Sequence, residues 1–133
     1  MGTTALTDRL QHGDVSREII GAFFDVYNGM GYGFLEAVYR RAMCVALRRR
    51  GLVVEAEAPF SVYFGGETVG EYRADIVVQR SVIVECKAVD RLTATHEAQV
   101  QNYLHASGLA VGLLLNFGPH ASVRRVARRS PKQ

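Results

Sequence analysis

The sequence contains only two cysteines, no long apolar run and no internal repeat. No stretch approaches the 18 or so consecutive apolar residues of a membrane helix, so we expect neither a membrane span nor a membrane partner. The first residues also lack the apolar core of a secretory signal, which predicts a cytoplasmic protein. Cys44 and Cys86 lack the spacing of metal ligands. They are predicted to be buried thiols in a reduced cell, with a disulfide as the less favoured alternative.

The length and composition are those of one soluble domain. The chain has 133 residues, 48% of them apolar and 22% charged, which is enough for one hydrophobic core. The net charge is only +3, but the basic residues are concentrated in one predicted helix and near the C-terminus: Arg40, Arg41, Arg48, Arg49, Arg50, Arg124, Arg125, Arg128, Arg129 and Lys132. Such clusters are compatible with a solvated surface and with a polyanion-binding surface.

Hydrophobic periodicity predicts an α/β (α+β) fold in which helices flank a mixed β-sheet. The predicted order is two helices (from Asp14 or Ser16 as cap, and about 34–50), strands at 52–58 and 60–64 around Pro59, strands at 68–78 and 82–88, a helix at about 95–106, a strand at 109–117 and an edge strand at 122–127. The apolar run at 109–117 predicts a strand buried on both faces and parallel to its neighbour. We expect one domain over residues 14–128, a flexible arm at 1–13 and a basic tail at 129–133.

One predicted hairpin carries charges where a core is expected. Its arms, residues 71–78 and 81–87, are rich in strand-forming residues but also contain Asp75, Glu85 and Lys87. Carboxylates and lysines are almost never fully buried unless they are paired or coordinated. The hairpin is therefore the candidate functional element, with a structural ion pair as the alternative.

The register of this hairpin decides whether its charges meet. If residues 79–81 form the loop and Val78 lies opposite Val82, then Asp75 lies opposite Glu85, on the face that Glu85 shares with Lys87. A two-residue loop would move Asp75 to the other face. The hypothesis of a shared site therefore requires an odd loop or a bulge.

Two carboxylates and an ammonium on one patch suit metal-assisted phosphodiester hydrolysis. Oxygens of Asp75 and Glu85 can hold Mg²⁺ or Mn²⁺, with the backbone carbonyl of Cys86 as a further ligand. The metal would polarise a phosphoryl oxygen and lower the pKa of a bound water. Lys87 could orient that water or stabilise the charge that develops in the transition state.

Several short strings resemble a known family: Asp75 with Glu85-Cys86-Lys87, Gln99-x-x-x-Tyr103, Gly33-x-x-Glu36-x-x-Tyr39, His96–Gln99 and Gly112–Gly118. The first is similar to the core motif of the PD-(D/E)XK nuclease superfamily, and the second to the helix motif of its recombination-repair and exonuclease branch. The third matches the string after which the GxxExxY proteins are named. Ala74 stands where the superfamily motif has Pro.

The resemblance implies a restriction-endonuclease-like fold and a fuller site. Glu36 would complete the metal site, although a pairing with Arg40 one helical turn later is the alternative from spacing alone. Gln99 and Tyr103 would brace the site or touch substrate phosphate. Tyr39 would pack behind the site.

These observations predict a Mg²⁺- or Mn²⁺-dependent nuclease that acts on nucleic acid, with DNA as the favoured substrate. A catalytically weak or inactive nucleic-acid-binding module with the same fold is the first alternative, and a structural or regulatory protein is the second. A homodimer or a protein partner is expected, because so small a chain has little beyond the core to grip a duplex.

Overall fold

The computed structural model describes residues 12–130, which form eight helices and strands. In chain order they are α1 His12–Met30, α2 Glu36–Arg49, β1 Val54–Phe64, β2 Glu67–Val78, β3 Val82–Lys87, α3 Ala94–Ser107, β4 Val111–Asn116 and β5 Ser122–Ala127. The predicted mixed α/β architecture is confirmed. The predicted arm lies outside the described residues except for His12 and Gly13, which belong to α1. Residues 131–133 of the predicted tail also lie outside them.

The five strands form one mixed sheet in the order β1-β2-β3-β4-β5. Only β3 and β4 are parallel, and α3 supplies the crossover between them. All six residues of β4 are buried, as predicted for the apolar run in which the strand lies. Every other neighbouring pair is antiparallel. A parallel pair inside the sheet requires both faces to be covered, and the helices provide that cover.

The helices divide between the two faces of the sheet. Apolar residues of α1 and α2, including Phe23 and Met43, form one core with the inner side chains of β2, β3 and β4. Val100 and Leu104 of α3 form the second core on the opposite face. Gly112 permits this close approach, since a side chain there would meet Val100. Within residues 12–130, no helix has both the length and the apolar character needed to cross a membrane.

The structure changes several of the predicted boundaries. The strands predicted on either side of Pro59 form the single strand β1, which tolerates the proline because β1 is an edge strand. Helix α2 begins at Glu36 instead of Phe34. Helix α1 is already helical at His12, so Asp14 lies within its first turn instead of capping it, and it pairs with Arg17 at 2.8 Å.

The hairpin register is the one that a shared site requires. Val78 lies opposite Val82, and the β2–β3 pairing continues through Ile76 and Val84. Gln79 and Arg80 both have positive φ, and the loop closes with the Ser81 amide donating to the Val78 carbonyl. The three-residue loop of the prediction is therefore confirmed.

The β1–β2 pair extends well beyond the rest of the sheet. β3 pairs with β2 only at residues 76–78, whereas β1 pairs with β2 along nearly its whole length. Residues 59–73 therefore form a projecting two-stranded ribbon, referred to below as the ribbon. Most of its side chains are exposed.

Candidate functional site

The site begins where β2 and β3 separate. Beyond Ile76 and Val84, side chains replace the regular ladder: the Cys86 amide donates to Asp75 Oδ2 at 2.8 Å, and the Asp75 amide donates to Glu85 Oε2 at 3.4 Å. Each carboxylate thus accepts a hydrogen bond from the other strand. These contacts hold the two acidic side chains together, as the sequence predicted.

Glu85 is buried without adequate partners. Its exposed fraction is 3%, and among residues 12–130 nothing forms a hydrogen bond with its Oε1 atom. Burial, together with the neighbouring Asp75 carboxyl, raises the pKa of Glu85 to about 10, and the Lys87 charge opposes that shift. A buried polar atom without a partner is costly in an apolar interior. This oxygen is therefore available to a further ligand.

Lys87 and two residues of α3, Gln99 and Tyr103, lie beside the Asp75–Glu85 pair. Lys87 Nζ donates to Gln99 Oε1 at 3.3 Å. Tyr103 is buried, and burial followed by the charges of Glu85 and Asp75 raises the pKa of its hydroxyl to about 12. The structure thus brings together five residues that the sequence singled out from two strands and one helix.

Glu36 lies at the first position of α2 and is exposed. Its charge contributes to the raised pKa of the Cys86 thiol, after burial and the charges of Asp75 and Glu85. Within the part of the chain that the structure describes, no three His, Cys, Asp or Glu side chains converge closely enough to hold a metal ion. The assignment of Glu36 as a third metal ligand therefore stays a prediction.

Tyr39 fixes the segment that leads into α2. Its hydroxyl donates to the Gly31 carbonyl at 2.6 Å and accepts from the Phe34 amide at 3.2 Å, while its ring stacks on Phe117. Gly33 has a φ of +115°, and a side chain there would meet no atom within 4 Å. The glycine is therefore required for its backbone conformation and not for a close approach by a neighbouring element.

Arg40 lies beside the carboxylate pair, a position that the sequence does not predict. Its guanidinium lies 3.9 Å from Asp75 Oδ1 and 3.6 Å from Glu57 Oε1. The spacing suggests Glu36 as its partner, but the observed ion pairs join Arg40 to Glu57 and Asp75 on the sheet. Glu57 has a positive φ of 51° beside this contact, which is uncommon for a residue with a side chain. The only sequence signal was that Arg40 follows Glu36 by one helical turn.

Asn116 is a second residue near the site whose role the sequence does not predict. Its Oδ1 atom accepts from the amides of Val89 and Gly118, both at 3.0 Å, and its Nδ2 donates to the Val89 carbonyl at 2.9 Å. The next amide, of Phe117, donates to the Lys87 carbonyl at 2.7 Å. Asn116 thereby fastens the end of β4 to the segment after Lys87. A lone amide in an apolar run was the available signal.

Fold and site together define a mixed α/β domain in which a buried glutamate, a half-buried aspartate and a lysine meet on the central strands of the sheet. The chain matches the family model of the PD-(D/E)XK nuclease superfamily over residues 13–129. It therefore belongs to that superfamily. Membership in the GxxExxY branch stays a prediction. No curated protein sequence matches the chain.

Two solved structures have a similar fold. The crystal structure of SSO0001 has a TM-score of 0.58 and 18% identity, and the match covers 71% of this chain and 50% of that one. This chain thus spans about half the length of SSO0001. The alkaline exonuclease LHK-Exo from Laribacter hongkongensis has a TM-score of 0.51 and 11% identity over 95% of this chain and 76% of its own. The restriction-endonuclease-like fold expected from the sequence is confirmed.

Proposed function

We propose that this chain is a divalent-metal-dependent nuclease that hydrolyses phosphodiester bonds, with DNA as the favoured substrate. The observation that carries the proposal is the Asp75–Glu85 pair. One buried oxygen of Glu85, two residues before Lys87, has no partner in the described part of the chain. Membership in a nuclease superfamily supports the same chemistry.

The donor set fits Mg²⁺ or Mn²⁺. Both ions prefer oxygen ligands, and Mg²⁺ in particular retains several waters, so a few protein oxygens are sufficient. Asp75, Glu85 and the Cys86 carbonyl would hold the ion, with Glu36 as a further carboxylate. The unpartnered Glu85 Oε1 supports this assignment, because a bound cation would satisfy it. When bound, the ion would supply Lewis-acid polarisation and a water of lowered pKa.

The remaining residues have separate tasks in this proposal. The Lys87 ammonium, held by Gln99, would stabilise negative charge on the phosphoryl group or orient the attacking water. Tyr103 would border the reacting phosphate on the α3 side. Tyr39 would keep the start of α2, and hence Glu36, in place through its bond to Gly31.

A nucleic-acid-binding module with weak or no turnover is the second candidate. It is favoured because, among residues 12–130, no three His, Cys, Asp or Glu side chains converge closely enough to hold a metal ion. It is also favoured by a groove of about 410 Å³ beside β5, whose lining includes Arg125, Arg128 and Arg129. Such a module would act with a partner, and its binding would weaken as salt rises because phosphate contacts release counterions.

The decisive experiment is cleavage of single- and double-stranded DNA and RNA with Mg²⁺ or Mn²⁺. Lys87→Ala is expected to lower the rate by at least about 10²-fold, the usual loss when one transition-state donor is removed. Asp75→Ala is expected to abolish cleavage. The exposed carboxylate of Glu55 on β1 provides the control Glu55→Gln, which should cleave normally.

Robust cleavage by both Lys87→Ala and Asp75→Ala would contradict the nuclease proposal. Salt-dependent binding by a wild-type protein that never cleaves would favour the second candidate. Because Asp75 and Lys87 lie near the core, circular dichroism must show that the variants are folded.

A further inference from the structure

A groove leads away from the carboxylate pair between the ribbon and the second half of α3. Its first member is Tyr72 on β2, whose ring meets the Tyr103 ring edge-on at a centroid distance of 5.3 Å. Tyr72 lies two residues from Ala74, so both face α3. Tyr103 is close enough to Glu85 and Asp75 for their charges to raise its pKa. The groove therefore starts at the site.

The groove is aromatic and polar but nearly uncharged. It has a volume of about 370 Å³ and is lined by Ser61, Val62, Tyr63, Tyr72, Asn102, His105 and Ala106. Tyr63 is 66% exposed and Tyr72 is 36% exposed. No Lys, Arg, Asp or Glu is among these lining residues. Exposed aromatic rings beside an amide suit a planar, hydrogen-bonding ligand.

The far end of the groove is basic. His105 also borders a second depression of about 350 Å³, which is lined by Arg128, Arg129 and Ser130. The surface thus changes from acidic at the carboxylate pair to aromatic and then to cationic. Glu71, which precedes Tyr72 in β2, alternates onto the other face of the ribbon, where it pairs with Arg73 at 3.4 Å.

We propose that this groove binds an unpaired strand of nucleic acid that continues from the scissile phosphate. The inference rests on the proposed function and narrows its substrate class to single strands or frayed ends. Bases would stack on Tyr63 and Tyr72, Asn102 would contact a base edge, and Arg128 and Arg129 would hold the backbone. Aromatic stacking of this kind tolerates every base sequence.

A duplex fits these residues less well. The bases of a duplex already stack on one another, so their faces are not available to tyrosine rings. Duplex binding relies mainly on cations that contact phosphates, and the aromatic section of the groove offers none. The order of aromatic and cationic residues along one path therefore favours a single strand.

The test measures binding separately from cleavage. The wild-type protein is titrated in EDTA into three fluorescent probes: oligothymidylate, oligouridylate and a hairpin duplex. Each probe has about 12 nucleotides, which is within the usual range of site sizes. Tyr63→Leu and Tyr72→Leu are each expected to weaken single-strand binding roughly tenfold, which is typical of one lost stacking contact. The DNA and RNA strands show which sugar is preferred.

Phe64→Leu is the matched control. Phe64 is adjacent to Tyr63, is 79% exposed and does not line the groove. Its variant should bind the strands as the wild type does. Because Tyr63 is so exposed, Tyr63→Leu should fold even if Tyr72→Leu does not.

Three outcomes overturn the inference: unchanged single-strand affinity in Tyr63→Leu, equal or tighter binding of the duplex, or no strand binding at all. Light scattering tests whether the groove instead binds a second copy of this chain. A dimer that dissociates in Tyr63→Leu without any change in strand affinity would assign the groove to self-association. If cleavage requires Lys87 and neither cleavage nor strand binding changes in Tyr63→Leu, only this inference is overturned. If strand binding requires the tyrosines but the protein never cleaves, only the proposed function is overturned.

Discussion

Two buried polar residues on the neighbouring strands β3 and β4 differ in whether their side chains have hydrogen-bond partners. Asn116 has an exposed fraction of 0% and makes three side-chain hydrogen bonds to backbone groups. Glu85 is almost as buried, but the bond that its Oε2 accepts from the Asp75 amide is long, and its Oε1 has no partner among residues 12–130. The two strands lie side by side in parallel register.

This difference distinguishes a polar residue that stabilises the fold from one that serves the candidate site. Nearly all buried polar groups are paired, because leaving one unpaired costs on the order of 1–3 kcal/mol. Asn116 follows that rule and joins two loops. Glu85 violates it beside a second carboxylate, and such exceptions are concentrated at functional sites. Stability experiments can therefore distinguish the two residues even before a substrate is known.

The largest effect is expected at Asn116. Asn116→Ala should lower the free energy of unfolding by about 4 kcal/mol, because the amides of Val89 and Gly118 and the Val89 carbonyl all lose their partner. Urea denaturation measures this change. Asn102→Ala, at an exposed position of α3, is the control and should leave stability nearly unchanged. A loss below about 1 kcal/mol at Asn116 would show that water replaces the side chain.

Replacing Glu85 should raise the free energy of unfolding when metal is removed, the opposite of the effect at Asn116. Since its pKa is raised in the folded state to about 10, the carboxyl contributes full stability below its ordinary pKa, and that stability is lost as pH rises towards the raised value. Glu85→Gln is neutral at every pH. In EDTA at pH 7 it should therefore be more stable than the wild type, by on the order of 3 kcal/mol.

The measurement is urea denaturation in EDTA from pH 4.5 to 9. The advantage of Glu85→Gln should vanish near pH 4.5 and grow towards alkaline pH. Glu55→Gln, at an exposed site, should show no such trend. If Glu85→Gln is the less stable protein at pH 7, Glu85 is a structural residue like Asn116, and the comparison fails.

Metal should restore the stability that Glu85 lacks. At a Mn²⁺ concentration about 100-fold above Kd, the wild type should gain about 2.7 kcal/mol, because the ion binds only the folded state. Thermal unfolding with and without Mn²⁺ measures the gain. Asp75→Asn and Glu85→Gln should lose it, whereas Glu55→Gln should retain it. An equal gain in Asp75→Asn would place the ion elsewhere.

Local patterns in the sequence predicted the hairpin well. The alternation of side chains and an odd loop predict Asp75 opposite Glu85. The observed pairing of Val78 with Val82 confirms the loop on which that prediction depends, although the regular pairing ends at Ile76 and Val84. The buried parallel strand β4 was predictable for the same reason, since its apolar run leaves no face for solvent.

Features that depend on tertiary packing were not predictable. Whether Pro59 interrupts a strand depends on whether that strand lies at an edge, which local sequence does not state. The partner of Arg40 depends on how α2 lies over the sheet. The groove beside Tyr63 exists only because β1 and β2 extend past β3. Each of these features is set by the relative placement of elements distant in sequence.

The smallest effect is expected at Arg40, the cation next to the carboxylate pair. Its guanidinium lies 3.9 Å from Asp75 Oδ1 and competes electrostatically with a metal ion. Arg40→Gln should therefore tighten Mn²⁺ binding about twofold to fivefold, the range of a partly exposed ion pair. Calorimetric titration of Mn²⁺ measures the change. Arg41→Gln, at the adjacent exposed position, should leave Kd unaltered. Weaker Mn²⁺ binding in Arg40→Gln would contradict this prediction. It would mean that Arg40 positions Asp75 for the metal instead of competing with the ion.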